Sequence, residues 1–314
     1  MKKPLILLTG PTAVGKSKLA IELAKAVGGE IISADSMQVY RYMDIGSAKI
    51  KPHEMKGITH YLIDVLDPFD DFHVVRFQTM AKEALARIYE KGKIPIVTGG
   101  TGFYIQALLK DVDFEDTPKS KSYRKTLEEL AAVKGSEYLH DMLSRVDAEA
   151  ASDIHENNTK RVIRALEYYH QTGEPISVHN KRERDRESPY QYVYFVLNDI
   201  RAKLYAQIDQ RVETMIQEGL LEEVKRLAGM GYTKDMVSMQ GLGYKELLAF
   251  LNGEGSLDEA VDAIKRDTRH YAKRQITWFK REENVIWINK EAFAYEDDKI
   301  LAYILQICKE KGIV

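Results

Sequence analysis

The sequence predicts an α/β protein in which a parallel sheet is flanked by helices and carries a helical insertion domain. Three observations predict it. Short, unbroken apolar runs close on glycine-rich turns and are followed by apolar residues at helical spacing, the pattern of strands buried on both faces and returned by helices. One of those turns has the spacing of a phosphate-holding loop. After Lys110 the strand-helix alternation stops, and only helical periodicity continues as far as Pro189.

Leu5 to Leu8 form the first such run, ending in Thr9-Gly10. Leu19, Leu23, Ala26 and Val27 then recur at helical spacing until Gly28-Gly29 stops the helix. "EIISAD" reads as a second strand, and "IPIV" (Ile94 to Val97) as a third that enters "TGGTG" and a helix starting near Phe103. These make residues 1–110 the first part of the core. Residues 111–189, from "DVDFEDTPKS" onward, read as the insertion. Within it, "NNTKRVIRALEYYHQTG" places Val162, Ala165, Leu166 and Tyr169 on one helical face, with Asn158 or Thr159 to cap the start and Gly173 the end. "YQYVYFVL" returns as a strand, and residues 190–314 complete the core. There a long amphipathic stretch runs from Ala202 to Leu227 and the remainder is mostly helical.

The chain has 314 residues, 44% hydrophobic and 30% charged, with a formal net charge of −2, so it is not a protein coated in cation for non-specific nucleic-acid binding. Its single cysteine, Cys308, excludes an internal disulfide or a zinc cluster and fits a reducing compartment. The first apolar run follows "MKKP" directly and is far too short for a membrane span or a signal peptide. A soluble cytoplasmic protein with no membrane partner is expected.

Gly10-Pro11-Thr12-Ala13-Val14-Gly15-Lys16-Ser17 satisfies G-x-x-x-x-G-K-[ST] between a strand and a helix. The glycines let successive backbone N–H groups converge on phosphate oxygens, the helix N-terminus adds its dipole, Lys16 adds a full charge, and Ser17 can hold Mg²⁺. A P-loop NTPase-like core that binds a diphosphate or longer follows. "NKRE" and "NKEA" both fail the N-K-x-D base-reading motif of regulatory GTPases, and in "YLIDVLD" Asp64 is followed by Val65, not by the acid expected of a motor ATPase. A small-molecule or nucleoside kinase stays open, with Asp35 and the arginines of the insertion serving it as acid and lid. So does an RNA-binding protein that uses a nucleotide only as a switch.

The tract "DSMQVYRYMDIGSAK" (Asp35 to Lys49) follows the second strand at the carboxyl edge where the loop opens. With "GPTAVGKS", "VTGGTGFY", "RVIRALE", "QGLGYKE" and "RQITWFK" in order, it resembles the signature of the tRNA dimethylallyltransferases, also called tRNA isopentenyltransferases, over essentially the whole chain. Tyr42 and Ser47 stand where that family is expected to have Gly and Thr. The lack of a C-terminal zinc finger makes the resemblance one to the bacterial form.

The resemblance implies transfer of a dimethylallyl group from its diphosphate to the exocyclic amine of the adenine 3′-adjacent to a tRNA anticodon. Diphosphate leaves and no phosphoryl group moves. In this reading the loop grips a leaving group, with Arg211 as a further clamp, while Lys16 and Mg²⁺ stabilise the departing charge. An adenine amine is a weak nucleophile because its lone pair is delocalised, so Asp35 is the expected base and Thr101 the hydroxyl that orients the amine.

The target base must be extruded from its loop. Asp35, Ser36, Met37 and Gln38 are the expected readers of the flipped adenine, together with Thr101. Lys160, Arg161, Val162, Ile163 and Arg164 form an expected RNA-contacting segment of the insertion. Gln240, Gly241, Gly243, Tyr244 and Lys245 form another, with Tyr244 placed to stack on a base. At 100° per residue, Ile264, Tyr271 and Trp278 make a buried spine on the "AIKRDTRHYAKRQITWFKR" helix, while Arg266, Arg269, Lys273 and Lys280 gather opposite as a basic ridge. The anticodon stem-loop, clasped with the help of a mobile insertion, and dimethylallyl diphosphate are the expected partners of a monomer.

Overall fold

The computed structural model describes residues 2–114 and 121–314, so part of "DVDFEDTPKS" lies outside the described residues. The chain divides into two compact units: Met1–Leu109 with Pro189–Val314, and Lys110–Ser188.

The first unit opens with β1 (Lys3–Thr9), α1 (Lys16–Val27), β2 (Glu30–Ala34), β3 (His60–Tyr61), α2 (Val74–Glu90), β4 (Pro95–Gly99) and α3 (Gly102–Leu109). The second unit contains α4 (Lys121–Lys134), α5 (Ser136–Val146), α6 (Ala148–Asp153), α7 (Thr159–Thr172) and α8 (Ile176–Asp185). The first then resumes with β5 (Tyr190–Asn198), α9 (Arg201–Gln217), α10 (Leu220–Gly229), α11 (Tyr244–Leu251), α12 (Leu257–Phe279), β6 (Val285–Asn289) and α13 (Asp297–Glu310).

Among the described residues the sheet has six strands in the order β3-β2-β4-β1-β5-β6, every pairing parallel. This is a P-loop NTPase-like α/β fold. Alternate residues of β1 supply the two faces: Leu5 and Leu7 pack with α2, α3 and α10 to α12, while Ile6 and Leu8 pack with α1 and α13. All four side chains are fully buried, each stabilising the fold by roughly 1.5–3 kcal/mol of apolar transfer. Strand order reverses at β1, between β4 and β5, and the crevice at such a switch point receives the loop that follows the strand.

Two strands were not expected from the sequence. β3 has two residues and β6 is a five-residue, largely half-buried edge strand, both too short to show a period. The expected continuous stretch from Ala202 to Leu227 is instead two helices, broken where Gly219 takes φ +100°.

The second unit is wholly helical among its described residues, with a core of Leu127, Leu139, Leu143, Val162, Ile163, Ala165 and Leu166. Gly173 closes α7 with φ +72°, and Asn158 occupies its N-cap position without a side-chain bond. Among the described residues no helix is long and apolar enough to cross a membrane.

Candidate active site

Three strand ends meet at the switch point. Thr9 of β1 pairs with Gly99 of β4, and Gly99 pairs with Ala34 of β2, so the loop from Gly10, the acid Asp35 and the turn bearing Thr101 emerge side by side. The Thr101 N–H donates to the Ala34 carbonyl at 3.3 Å, tying the turn to the residue before Asp35. Glycine is needed at both crossings: a Cβ on Gly10 would strike the Leu197 carbonyl of β5, and one on Gly99 would strike the Ala34 backbone. The loop bends through Gly10 (φ +147°), Ala13 (φ +65°) and Gly15 (φ +96°), the positive-φ conformations a tight phosphate loop requires.

Lys16 lies in the first turn of α1 and donates to the Pro11 carbonyl at 2.6 Å. Burial first, then the Arg211 guanidinium, pull its ammonium down to about 7, with Asp35 opposing. Arg211 reaches the same place from α9, half-buried and without a hydrogen bond or ion pair among the described residues. Burial lowers its pKa too, and Asp35 again opposes. A cavity of about 590 Å³ has Arg211 in its wall, with Gln207, Gln210 and Thr214. Asp35, Lys16 and Arg211 thus feel one another's charge, yet no ion pair joins Asp35 to either cation.

Asp35 is held by an Asx turn: its Oδ1 accepts from the backbone N–H of Met37 at 2.8 Å and of Gln38 at 3.3 Å. Its Oδ2 accepts no bond among the described residues. The Thr101 hydroxyl is buried and makes no hydrogen bond of good geometry among the described residues, its polar neighbour being the Tyr271 hydroxyl.

Two residues at this site were read from the sequence only as core or as part of a signature block. Tyr271 of α12 lies beside Asp35: burial and then the carboxylate push its hydroxyl up to about 12, against smaller opposing effects from Thr101, Arg274 and Gln275. Gln275, one turn on, accepts from the Thr12 N–H at 2.8 Å and donates to the Gly100 carbonyl at 3.0 Å. Helical spacing correctly turns Tyr271 inward; what it meets there is set by other elements. The Thr12 amide, expected to hold diphosphate, is taken by Gln275, and of that residue only the hydroxyl stays available to the ligand.

The segment after Asp35 is firmly seated. Gln38 donates to the carbonyls of Ser47 and Ala48 at 3.4 and 3.3 Å and accepts from the Ser33 hydroxyl at 3.3 Å. Its amide is therefore already engaged within the chain. Glu223 of α10, 6% exposed, accepts the N–H groups of Asp44, Ile45 and Gly46 at 2.9–3.1 Å. Tyr42 takes φ +68°, a left-handed conformation that costs a side-chain-bearing residue about 1–2 kcal/mol and accounts for the glycine expected there.

Other expected RNA contacts are corrected. Tyr244 is fully buried and donates to Glu223 at 2.7 Å, with Gly46 making room for its ring, so it cannot stack on a base. Gly241 lies against the Met37 side chain, Gly243 (φ +91°) starts α11, Gln240 bonds the Lys234 carbonyl, and Lys245 approaches Glu246 and Asp267 at 3.4 and 3.9 Å. That tract supports the Asp35 segment from behind. On α12, Arg269 is paired with Asp209 at 2.5 Å and Arg266 with Asp267 at 3.0 Å. Lys273 and Lys280 are exposed and unpaired among the described residues, so the ridge is shorter than expected. In the second unit Val162 and Ile163 are buried in its core and cannot offer side chains to RNA. Lys160, Arg161 and Arg164 are exposed on the other face of α7, with no ion pair among the described residues.

A phosphate loop with Lys16 and Arg211 beside it, and Asp35 and Thr101 on the neighbouring strand ends, defines a P-loop protein with acid and cationic groups gathered at the switch point. The family model described as "IPP transferase" matches residues 38–282, and one described as "Isopentenyl transferase" matches residues 3–67. The chain is 59% identical over 312 residues to a tRNA dimethylallyltransferase of Lachnoclostridium phytofermentans, covering 99% of each. Among solved structures it resembles the full-length tRNA isopentenylpyrophosphate transferase of Bacillus halodurans, with TM-score 0.74, 42% identity, and coverage of 99% of this chain and 98% of that one. It also resembles a eukaryotic dimethylallyltransferase acting on tRNA, with TM-score 0.80, 31% identity, and coverage of 91% and 74%. The chain belongs to the IPP transferase family.

Proposed function

We infer that this chain transfers the dimethylallyl group of dimethylallyl diphosphate to the N6 amine of the adenine 3′-adjacent to a tRNA anticodon. In this reaction the C1–O bond of the donor breaks as the N6–C1 bond forms. Asp35 Oδ2 takes the amine proton, and the electron pair of the broken bond leaves with diphosphate. The loop amides of Ala13 to Ser17, with Lys16 and Arg211, stabilise that leaving charge. Thr101 bonds the amine and Met37 lies against the flipped base.

The observation that carries this reading is that Asp35, Lys16 and Arg211 feel one another's charge with no ion pair between the carboxylate and either cation, which suits an uncharged reacting carbon between base and leaving group. A kinase would bring its acceptor to a γ-phosphate, and the relatives do not favour it. Ser17 is exposed in the first turn of α1 with its hydroxyl unengaged among the described residues, and those residues hold no cluster of three acidic, histidine or cysteine ligands. That donor set fits Mg²⁺, which needs one or two protein oxygens beside diphosphate oxygens and water. Bound there, the ion would neutralise diphosphate charge.

The test is purified protein with labelled dimethylallyl diphosphate, unmodified tRNA and Mg²⁺. Prenylated tRNA is expected at a 1:1 ratio with released diphosphate. Phosphate transfer from ATP to a small acceptor would replace this reading with the kinase. The tRNA substrate puts the work in the cytoplasm, and one chain supplies every group named, so a monomer is the expected active form.

Lys160, Arg161 and Arg164 are the proposed phosphate contacts of the second unit. The double variant Arg161→Glu with Arg164→Glu should weaken tRNA binding by about tenfold at low salt and flatten the dependence of affinity on salt, because two counterion-releasing contacts are lost. Affinity measured at several salt concentrations checks it. An unchanged slope would return this face to plain solvent exposure.

A further inference from the structure

We propose that Gln275 is a positioning residue that holds the diphosphate loop and the Thr101 turn at a fixed separation, and so sets the reach between leaving group and nucleophile. The inference rests on the prenyl-transfer reading of the site.

The Gln275 side chain is 5% exposed, and both ends of its amide are used. Oε1 accepts from Thr12 of the loop, and Nε2 donates to Gly100, the residue before Thr101. The bonds determine the orientation of the amide, since a flipped group would set N–H against N–H and C=O against C=O. Neither backbone group belongs to the sheet ladder, so the register of β1 against β4 does not itself fix how far the two loops stand apart beyond the strand ends. Gln275 spans that interval with a rigid planar group.

Gly100 gives the same message from the other side: a Cβ there would collide with Gln275 Nε2 and come within 3.4 Å of the Gly10 carbonyl. Tyr271, one turn earlier on α12, lies beside Asp35. One helix therefore bonds both the turn and the phosphate loop and carries Tyr271 within reach of the charge on Asp35.

Transfer requires the donor carbon and the amine nitrogen in near-attack alignment, and a displacement of about 1 Å costs on the order of 100-fold in rate. Gln275→Met keeps length and burial and removes both bonds. Its kcat should fall about 10- to 100-fold, while KM for each substrate stays within about threefold. Gly100→Ala, which displaces the amide from the opposite side, should show the same split. The double variant should be no slower than the slower single one, because both changes break one device.

Amide hydrogen exchange adds a readout independent of turnover: exchange at Thr12 should rise in Gln275→Met without a rise along β1. Wild-type kcat in a folded Gln275→Met protein, losses confined to KM, multiplicative effects in the double variant, or unaltered exchange at Thr12 would each overturn the proposal. If the wild-type protein fails to prenylate tRNA at all, the functional reading falls, and the exchange experiment alone decides whether Gln275 couples the loops.

Discussion

Replacing Asp35 with Asn should lower kcat about 1,000-fold while tRNA affinity stays within about twofold, a loss in the range measured when a general base is removed. Asn is the informative choice. Its Oδ1 can still accept from the Met37 and Gln38 amides, so the turn that seats the segment after it keeps its shape. Only the carboxylate oxygen that accepts no bond is exchanged for a group that cannot take a proton. Asp35→Ala would remove both functions and blur them. Single-turnover rates and equilibrium tRNA binding on the same preparation separate chemistry from recognition. Wild-type kcat in the Asp35→Asn protein would remove Asp35 as the base and leave it a turn residue.

Lys16→Met should cost about 100- to 1,000-fold in kcat/KM for dimethylallyl diphosphate and should also make the ligand-free protein more stable. The second effect follows from where the ammonium sits. Burial and the neighbouring guanidinium of Arg211 bring Lys16 down to about 7 from an ordinary 10.5, so charging it in the folded state works against folding. Methionine of similar length removes that cost, on the order of a few kcal/mol.

The sign with pH is determined. Below pH 7 both folded and unfolded chains carry the proton and the stability gap between variant and wild type is largest. From pH 7 to 10.5 the unfolded chain holds a proton that the folded chain has lost, so the wild type gains stability with rising pH and the gap closes. Melting curves of both proteins at about pH 6, 8 and 9.5 check it. A gap that widens with pH would show that Lys16 is not desolvated by its surroundings. Diphosphate would restore the charge of Lys16, a case of strain held at a site until its ligand arrives.

What could be read from the chain in advance was whatever is local. The loop from Gly10 to Ser17 is a contiguous motif between a strand and a helix, so its letters suffice to find it. Strands β1, β2, β4 and β5 announce themselves as apolar runs because both faces of a parallel sheet are covered. β6 escaped notice because an edge strand of five residues needs no period. Gly219 split a helix that the apolar spacing carried straight through, since a single left-handed residue leaves the pattern on either side intact.

Tyr244 shows the opposite error. A tyrosine between glycines looks suited to stacking, but the glycines that matter to it lie elsewhere. Gly46 makes room for its ring, and Glu223, twenty-one residues back, takes its hydroxyl bond.

By itself, then, the sequence determined the class of fold and the family, and it singled out Lys16, Asp35, Thr101 and Arg211 as the groups to locate. Only the tertiary structure decided that Lys16, Asp35 and Arg211 come within reach of one another's charge without pairing, that Tyr271 and Gln275 adjoin them, and that the side chains of Val162, Ile163 and Tyr244 are buried. The reason is physical. A residue's period along its helix or strand tells which way it points, whereas its partners there are brought by strand order and helix packing from distant segments, such as Thr12 and Gln275, 263 residues apart.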